Sequence, residues 1–118
     1  MLCLNRHTMI QTLSLPDVEV LRNLFDYDPE TGTLSWKSGR HAGKPCGYLA
    51  GDYKGYLRVK IKQTHYRVHR IIWKHYYGED IPEGYSIDHL DFDPQNNRIE
   101  NLRLLTFEEN TTRRRKKQ

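Results

Sequence analysis

Cysteine is scarce in this chain of 118 residues, which contains only Cys3 and Cys46, far apart. A zinc ribbon or knuckle requires cysteines paired as Cys-x-x-Cys, and a disulfide-stapled fold requires several cystines. Both kinds of scaffold are therefore excluded. Two free thiols are typical of a reducing compartment, so we expect the protein to lie in the cytoplasm.

Long hydrophobic runs are also missing. Hydrophobic residues make up 36% of the chain, no apolar run approaches the length of a membrane span, and the N-terminus lacks the apolar segment of a signal peptide. Aromatic residues reach 11%, most of them tyrosine, and they can fill a modest core. The composition predicts one compact soluble domain, or two small subdomains that share a core, and no membrane partner.

Positive charge, in contrast, is concentrated in two places. The formal net charge of +4 comes from 19 Lys and Arg against 15 Asp and Glu. The clustered cations are Lys60, Lys62, Arg67, Arg70 and Lys74 in the centre, and Arg113, Arg114, Arg115, Lys116 and Lys117 near the end. Such clusters attract polyanions, so DNA is the predicted partner. A solvated face and a frayed tail are the alternative interpretation.

The hydrophobic periodicity indicates an α+β protein. Apolar residues at helical spacing predict a helix over 16–26, turn residues follow at 28–32, and 33–36 is a predicted strand. Between 47 and 68 the period changes to two, with Leu57, Val59 and Ile61 alternating with basic residues. This pattern predicts a small antiparallel sheet with one apolar and one basic face, in which the chain turns at 62–64.

The C-terminal half is predicted to run helix, strand, loop, strand, helix. A helix over 69–77 ends at Gly78, which suits a left-handed cap position. Residues 85–90 form a strand, 91–100 a polar loop, and 102–105 a second strand. Thr106 is a good N-cap for a helix that begins near Phe107 and runs into the basic tail.

The polar loop has the sequence Asp-His-Leu-Asp-Phe-Asp-Pro-Gln-Asn-Asn-Arg-Ile-Glu-Asn-Leu-Arg from 88 to 103. A calcium-binding EF-hand loop beginning at Asp91 would need glycine at its sixth position and glutamate at its twelfth. Asn96 and Leu102 occupy those positions, so an EF-hand is excluded. Asn96 and Asn97 are explained by turn formation, because asparagine favours turns.

The same loop resembles the HNH nucleases, a family with a β-β-α metal fold. The motifs that carry the resemblance are Asp88-His89, Asn96-Asn97, Asn101-Leu102-Arg103 and Asn110, preceded by Val68-His69-Arg70 and Ile81-Pro82-Glu83-Gly84-Tyr85. Their order and spacing agree with short phage HNH proteins over roughly residues 56–112. Residues 25–67 also resemble these phage proteins, although less diagnostically.

The resemblance implies a role for each matching residue. His89 is implied as the general base, and Asp88 and Asn110 as ligands of one divalent ion. Asn101 is implied as the middle asparagine, which braces the loop and holds His89. Many members have histidine where this chain has Asn110, so tight zinc or nickel binding is not expected.

A carboxylate and an amide oxygen are hard ligands, which favour Mg²⁺, with Mn²⁺ as a substitute. Because neighbours in a strand point to opposite faces, we expect a bend or a strand end at Asp88 and His89. His69 supports the site, contacts DNA, or packs beneath the sheet at the start of its helix. The predicted DNA-binding residues are Lys60, Lys62, Arg67, Arg70, Arg103, Arg113, Arg114 and Arg115.

We therefore predict a DNA-contacting part over 1–67, an HNH nuclease motif over 68–112 and a basic tail over 113–118. The expected function is Mg²⁺-dependent hydrolysis of DNA in phage or mobile-element biology, in the cytoplasm of a bacterial host. A monomer would nick one strand and a homodimer would cut both. The alternative is a non-catalytic DNA-binding module that keeps the HNH scaffold.

Overall fold

The structure is a computed structural model that describes residues 14–49 and 55–110. Its elements follow the chain as α1 (Val18–Leu24), β1 (Phe25–Asp28), β2 (Thr33–Trp36), β3 (Arg58–Ile61), β4 (Thr64–Arg67), α2 (Val68–Tyr77), β5 (Tyr85–His89), a 3₁₀ turn (Ile99–Asn101) and β6 (Leu102–Thr106). Residues 107–110 are helical and open α3. The α+β class is confirmed.

Within the described residues, six strands form three antiparallel hairpins, which pair β1 with β2, β3 with β4, and β5 with β6. The helix predicted over 16–26 is shorter, because Phe25 and Asp26 belong to β1 and pair with Trp36 and Ser35 of β2. Phe25 is fully buried, and its ring lies 4.9 Å from that of Trp36. This cross-strand contact outweighs the helical pattern at that point.

The predicted alternation of the central segment is confirmed in the β3–β4 hairpin. Val59 and Ile61 are buried, whereas Lys60 is exposed. Lys62 and Gln63 form the two-residue connection with φ of 48° and 74°. Positive φ at both positions is the requirement of a tight hairpin turn whose twist matches that of its strands. Lys62 is exposed at the tip of the hairpin.

Helix α2 packs its apolar face into the core and ends where predicted. Ile71 and Ile72 are fully buried. Gly78 has φ of 77°, and its N–H donates to the carbonyl oxygen of Lys74 at 2.8 Å. Lys74 is itself only 6% exposed, and its Nζ lies 2.7 Å from Oδ1 of Asp80. Lys74 therefore does not belong to the exposed basic surface.

Among the described residues, the hydrophobic core contains side chains that come before residue 67 and side chains that come after it. They include Leu21, Phe25, Leu34, Ile72 and Leu102. The proposed boundary between residues 67 and 68 stays a prediction. Cys46 is a free, buried thiol, whereas Cys3 lies outside the described residues. Within 14–49 and 55–110, no helix has the length and apolar character to cross a bilayer.

Candidate active site

Strand β5 ends at His89, so Asp88 and His89 occupy the strand end that the sequence indicated. Both side chains are buried, Asp88 at 8% and His89 at 5% exposure. Asp88 pairs across the hairpin with Arg103, and His89 with Leu102. Oδ2 of Asp88 lies 3.6 Å from Nε of Arg103, so a cation accompanies the buried carboxylate.

The His89 imidazole is held by Asn97. Nε2 of His89 lies 2.8 Å from Oδ1 of Asn97, which is 2% exposed. An amide oxygen only accepts hydrogen bonds, so Nε2 is the donor, and the neutral ring has its basic electron pair at Nδ1. Turn formation is the only role that the sequence predicts for Asn97, so this contact was missed. No property of the residue in the sequence distinguishes it from Asn96.

Two further rings surround the imidazole. The centroid of His69 lies 5.0 Å and that of Tyr56 5.9 Å from the centroid of His89. Burial, together with the neighbouring His89, Arg70 and Arg67, lowers the pKa of His69 well below its ordinary value. His69 is therefore neutral at neutral pH, and it lies beside the site, which is one of the placements that the sequence left open.

Asn101 ties the two ends of the polar loop together. Its Nδ2 donates to Oδ1 of Asp91 at 2.9 Å and to the carbonyl oxygen of Asn96 at 2.8 Å. Its Oδ1 accepts from the Asp91 N–H at 3.1 Å, and its carbonyl oxygen accepts from the Leu90 N–H at 2.8 Å. These bonds hold the chain directly after His89.

Asp91 is fixed by the same network. Hydrogen bonds from the Asn96 amide, from the Asp93 N–H and from Asn101 lower the pKa of Asp91 to about 2. The carboxylate is therefore ionised at any pH at which the protein would work. Side-chain hydrogen bonds from Asn96 and Asn101 to Asp91 therefore order the loop, in addition to its turn residues.

The start of α3 presents Asn110 to β5. Thr106 and Glu109 form a reciprocal capping box, in which each backbone N–H donates to the other's side chain at 3.0 and 3.1 Å. Thr106 is thus confirmed as the N-cap. Nδ2 of Asn110 donates to Oγ of Ser86 at 3.0 Å. Since Ser86 and Asp88 are two residues apart on a strand, Asn110 lies against the face that carries Asp88.

A divalent ion fits this side of β5. Oδ1 of Asn110 is buried and accepts no hydrogen bond within the described part of the chain. A buried carbonyl oxygen without a donor is costly, and a cation would satisfy it. Among residues 14–49 and 55–110, no group of three or more His, Cys, Asp and Glu side chains is arranged to hold a metal. A site here would therefore draw on one carboxylate, that of Asp88, and one amide oxygen, that of Asn110.

The predicted DNA-contacting residues are spread over several elements. Lys60 and Lys62 are exposed on the β3–β4 hairpin. The guanidinium of Arg67 lies 4.4 Å from the centroid of the Tyr56 ring and so connects this hairpin to the His89 surroundings. Arg103 is exposed beside Asp88. Arg113, Arg114 and Arg115 lie outside the described residues.

Arg70 differs from these residues. It is half-buried on α2, where burial and the neighbouring Arg67 lower its pKa. It lines a cavity of about 420 Å³ together with Lys74 and Asp80. Its proposed contact with DNA stays a prediction.

Three comparisons with known proteins each find HNH endonucleases. Residues 66–112 match the family model of the HNH endonucleases. The SPbeta prophage-derived protein YosQ of Bacillus subtilis (strain 168), whose name assigns it to the HNH homing endonucleases, is 36% identical over 86 residues. That match covers 70% of this chain and 47% of YosQ.

A solved structure that describes DNA binding and cleavage by the HNH homing endonuclease I-HmuI superposes with a TM-score of 0.62 at 25% identity. It covers 86% of this chain and 57% of that one, so the chain spans about half the length of the two relatives. Asp88, His89, Asn101 and Asn110 all fall within the matched residues. Residues 66–112 of this chain thus match the HNH endonucleases in sequence, and the chain resembles an HNH homing endonuclease in structure.

Proposed function

We propose that this chain is a metal-dependent DNA endonuclease in which His89 is the general base. The observation that supports this most directly is the hydrogen bond from Nε2 of His89 to Asn97, made at the strand end that also carries the buried Asp88. A histidine whose ring is fixed through one nitrogen is suited to general-base catalysis, because the base must be positioned towards the proton that it removes. The match of residues 66–112 to the HNH endonuclease family model supports the same reaction.

His89 removes a proton from the attacking water. Because Nε2 donates to Asn97, the proton is accepted at Nδ1, and the resulting imidazolium keeps its bond to the amide oxygen. The positive charge that develops on His89 lies beside His69, which burial keeps neutral.

Asp88 and Asn110 are the residues that would hold the ion. Their hard oxygen donors favour Mg²⁺, and Mn²⁺ is the expected substitute. When bound, the ion neutralises charge on the scissile phosphate and on the departing oxygen. Asp88 also lies close to Arg103, whose exposed guanidinium provides a second positive charge for a phosphate.

The DNA backbone is bound by the β3–β4 hairpin and by the cations around the site. Lys60 and Lys62 project from the hairpin, and Arg67 carries the positive surface towards Tyr56 and His89. Contacts of this kind fix the position of a duplex and contribute affinity without reading its sequence. We place the activity in phage or mobile-element biology in the bacterial cytoplasm, as the prophage origin of YosQ suggests.

The test is cleavage of a supercoiled plasmid library that carries random-sequence inserts, incubated with Mg²⁺, Mn²⁺ or EDTA. The parent should nick only with a metal ion, and His89→Ala should lose at least about 100-fold in rate, as for loss of a general base. His41→Ala, at an exposed histidine, is the matched control and should cut like the parent.

Two results would contradict the proposal. Ion-dependent nicking that persists in a folded His89→Ala variant would show that another group is the base. A parent that binds DNA in a salt-sensitive way but cuts none of the library would identify a non-catalytic DNA-binding module instead.

A further inference from the structure

Asn97 connects His89 to the N-terminal part of the chain. Its side chain contacts the imidazole, as described above, and its carbonyl oxygen accepts a hydrogen bond of 2.6 Å from the hydroxyl of Tyr27. Tyr27 lies in β1, 70 residues earlier in the chain. This phenol therefore holds the loop at the backbone of Asn97.

A second contact from the same hairpin meets the same point of the loop. A Cβ atom built on Gly32, in the turn between β1 and β2, would lie 2.5 Å from N of Arg98 and 2.7 Å from C of Asn97. The backbone of this turn therefore packs directly against the peptide bond between Asn97 and Arg98. Tyr27 and Gly32 restrain the Asn97 backbone from two directions.

The chemistry of Tyr27 suits a permanent donor. Burial raises its pKa well above the ordinary value, although the nearby backbone of Ile99 opposes that rise. The phenol thus stays protonated over the whole pH range in which a nuclease works and keeps donating to the Asn97 carbonyl. Its ring also packs edge-on against that of Tyr76, with centroids 6.2 Å apart, so its position does not depend on the hydroxyl alone.

From these contacts we infer that Tyr27 and Asn97 are positioning residues for His89, and that the β1–β2 hairpin is part of the catalytic machinery and not only a DNA-contacting element. Tyr27 fixes the Asn97 backbone, and the Asn97 side chain fixes the His89 ring with its hydrogen at Nε2. This inference rests on the proposed general-base role of His89. In the proposed mechanism neither residue touches DNA or the reacting atoms, so both act through the imidazole.

The experiment compares the full chain with Tyr27→Phe, Asn97→Ala and Asn97→Asp. Tyr27→Phe removes only the hydroxyl, and Tyr77→Phe, at an exposed tyrosine, is its matched control. Asn97→Asp keeps an oxygen acceptor for Nε2 and serves as the conservative rescue. Urea unfolding first establishes that each variant is folded under the assay conditions.

The first measurement is independent of cleavage. In an NMR spectrum of ¹⁵N-histidine-labelled protein, the proton on Nε2 of a buried, hydrogen-bonded imidazole exchanges slowly enough to be observed. The parent, Tyr77→Phe and Asn97→Asp should show this resonance for His89, Tyr27→Phe should show it with faster exchange, and Asn97→Ala should lose it. Core amides such as that of Ile72 report global unfolding and should exchange as in the parent.

The second measurement is the rate of nicking at saturating and at limiting DNA. Since misplacement of a reacting group by about 1 Å costs on the order of 100-fold in rate, Asn97→Ala should lose about that factor in kcat and Tyr27→Phe about 10-fold. KM for DNA should stay unchanged, and Asn97→Asp should recover most of the rate.

A folded Asn97→Ala or Tyr27→Phe variant with the parent's resonance and the parent's kcat would overturn the inference. A rise in KM with kcat unchanged would also overturn it, because that result would place these residues in DNA binding. Absence of nicking by the parent refutes the proposed function instead, and the NMR comparison still decides whether Tyr27 and Asn97 fix the His89 ring.

Discussion

Nδ2 of Asn110 donates a hydrogen bond of 3.0 Å to Oγ of Ser86, and this contact fixes the orientation of the amide. Because the nitrogen is bonded to β5, Oδ1 is the end of the side chain that remains available to a ligand. The oxygen is buried, and within the described residues it accepts no hydrogen bond. A bond between a helix and a strand thus orients a candidate metal ligand.

Substitution of this pair should weaken metal binding to different degrees. Ser86→Ala frees the amide to rotate and should weaken Mn²⁺ binding by about 10-fold, as is usual for residues that orient a ligand. Asn110→Ala removes the ligand and should weaken binding by at least about 100-fold. Titration of Mn²⁺ by water-proton relaxation measures both, and Asn23→Ala on the exposed face of α1 is the control. Mg²⁺-dependent cleavage that survives Asn110→Ala would show that the ligand assignment is wrong.

Loss of the Asn101 side chain should destabilise the loop and the site together. Asn101→Ala removes three side-chain hydrogen bonds of 2.8–3.1 Å that join Asp91 and Asn96. Leaving these partly buried groups without partners should lower the free energy of unfolding by about 3 kcal/mol, measured in urea. The cleavage rate, measured without urea at a temperature at which the variant is folded, should also fall. A variant that is as stable and as active as the parent would rule out the bracing role.

The stability of the fold should depend on pH through His69. Because burial holds its pKa in the folded state below the unfolded value, the unfolded chain binds more protons in acid. The contribution is complete above the unfolded pKa of about 6.5 and is lost below it, by up to about 1.4 kcal/mol per pH unit. Between pH 6.5 and 5.5 in EDTA, the parent should therefore lose more stability than His69→Phe. Equal losses in the two proteins would contradict this, and His41→Gln should behave like the parent.

The turn between β1 and β2 should tolerate no side chain at Gly32. Gly32 and Gly39 both have positive φ, 77° and 86°, but a Cβ on Gly39 meets nothing within 4 Å. Gly39→Ala therefore measures the backbone strain alone, about 1–2 kcal/mol. Gly32→Ala adds a collision with the Asn97–Arg98 backbone and should cost at least about 2 kcal/mol more in urea unfolding. Equal losses in the free energy of unfolding for the two substitutions would show that the turn does not pack against the loop.

Local sequence predicts those parts of the fold that depend on short-range interactions. Turn residues at 28–32, the alternation of Val59 with Lys60, Gly78 at the end of α2 and Thr106 at the start of α3 were all predicted correctly. Each depends on a residue's own backbone preference or on neighbours within one turn or strand. The end of α1 was wrong, because Phe25 is held by a partner eleven residues away in β2.

The sequence by itself determined the identity, order and spacing of Asp88, His89, Asn101 and Asn110. These residues lie in one short segment of strand, loop, strand and helix, so local structure is enough to bring them near one another. Only the tertiary structure decided that Asn97 contacts His89, that Tyr27 and Gly32 restrain Asn97, and that Lys74 is buried against Asp80. The Tyr27–Asn97 bond joins residues 70 positions apart, and hydrogen bonds act only within about 3 Å. Such a bond depends on how the β1–β2 hairpin packs against the loop, and that packing follows from the shared core rather than from either segment alone.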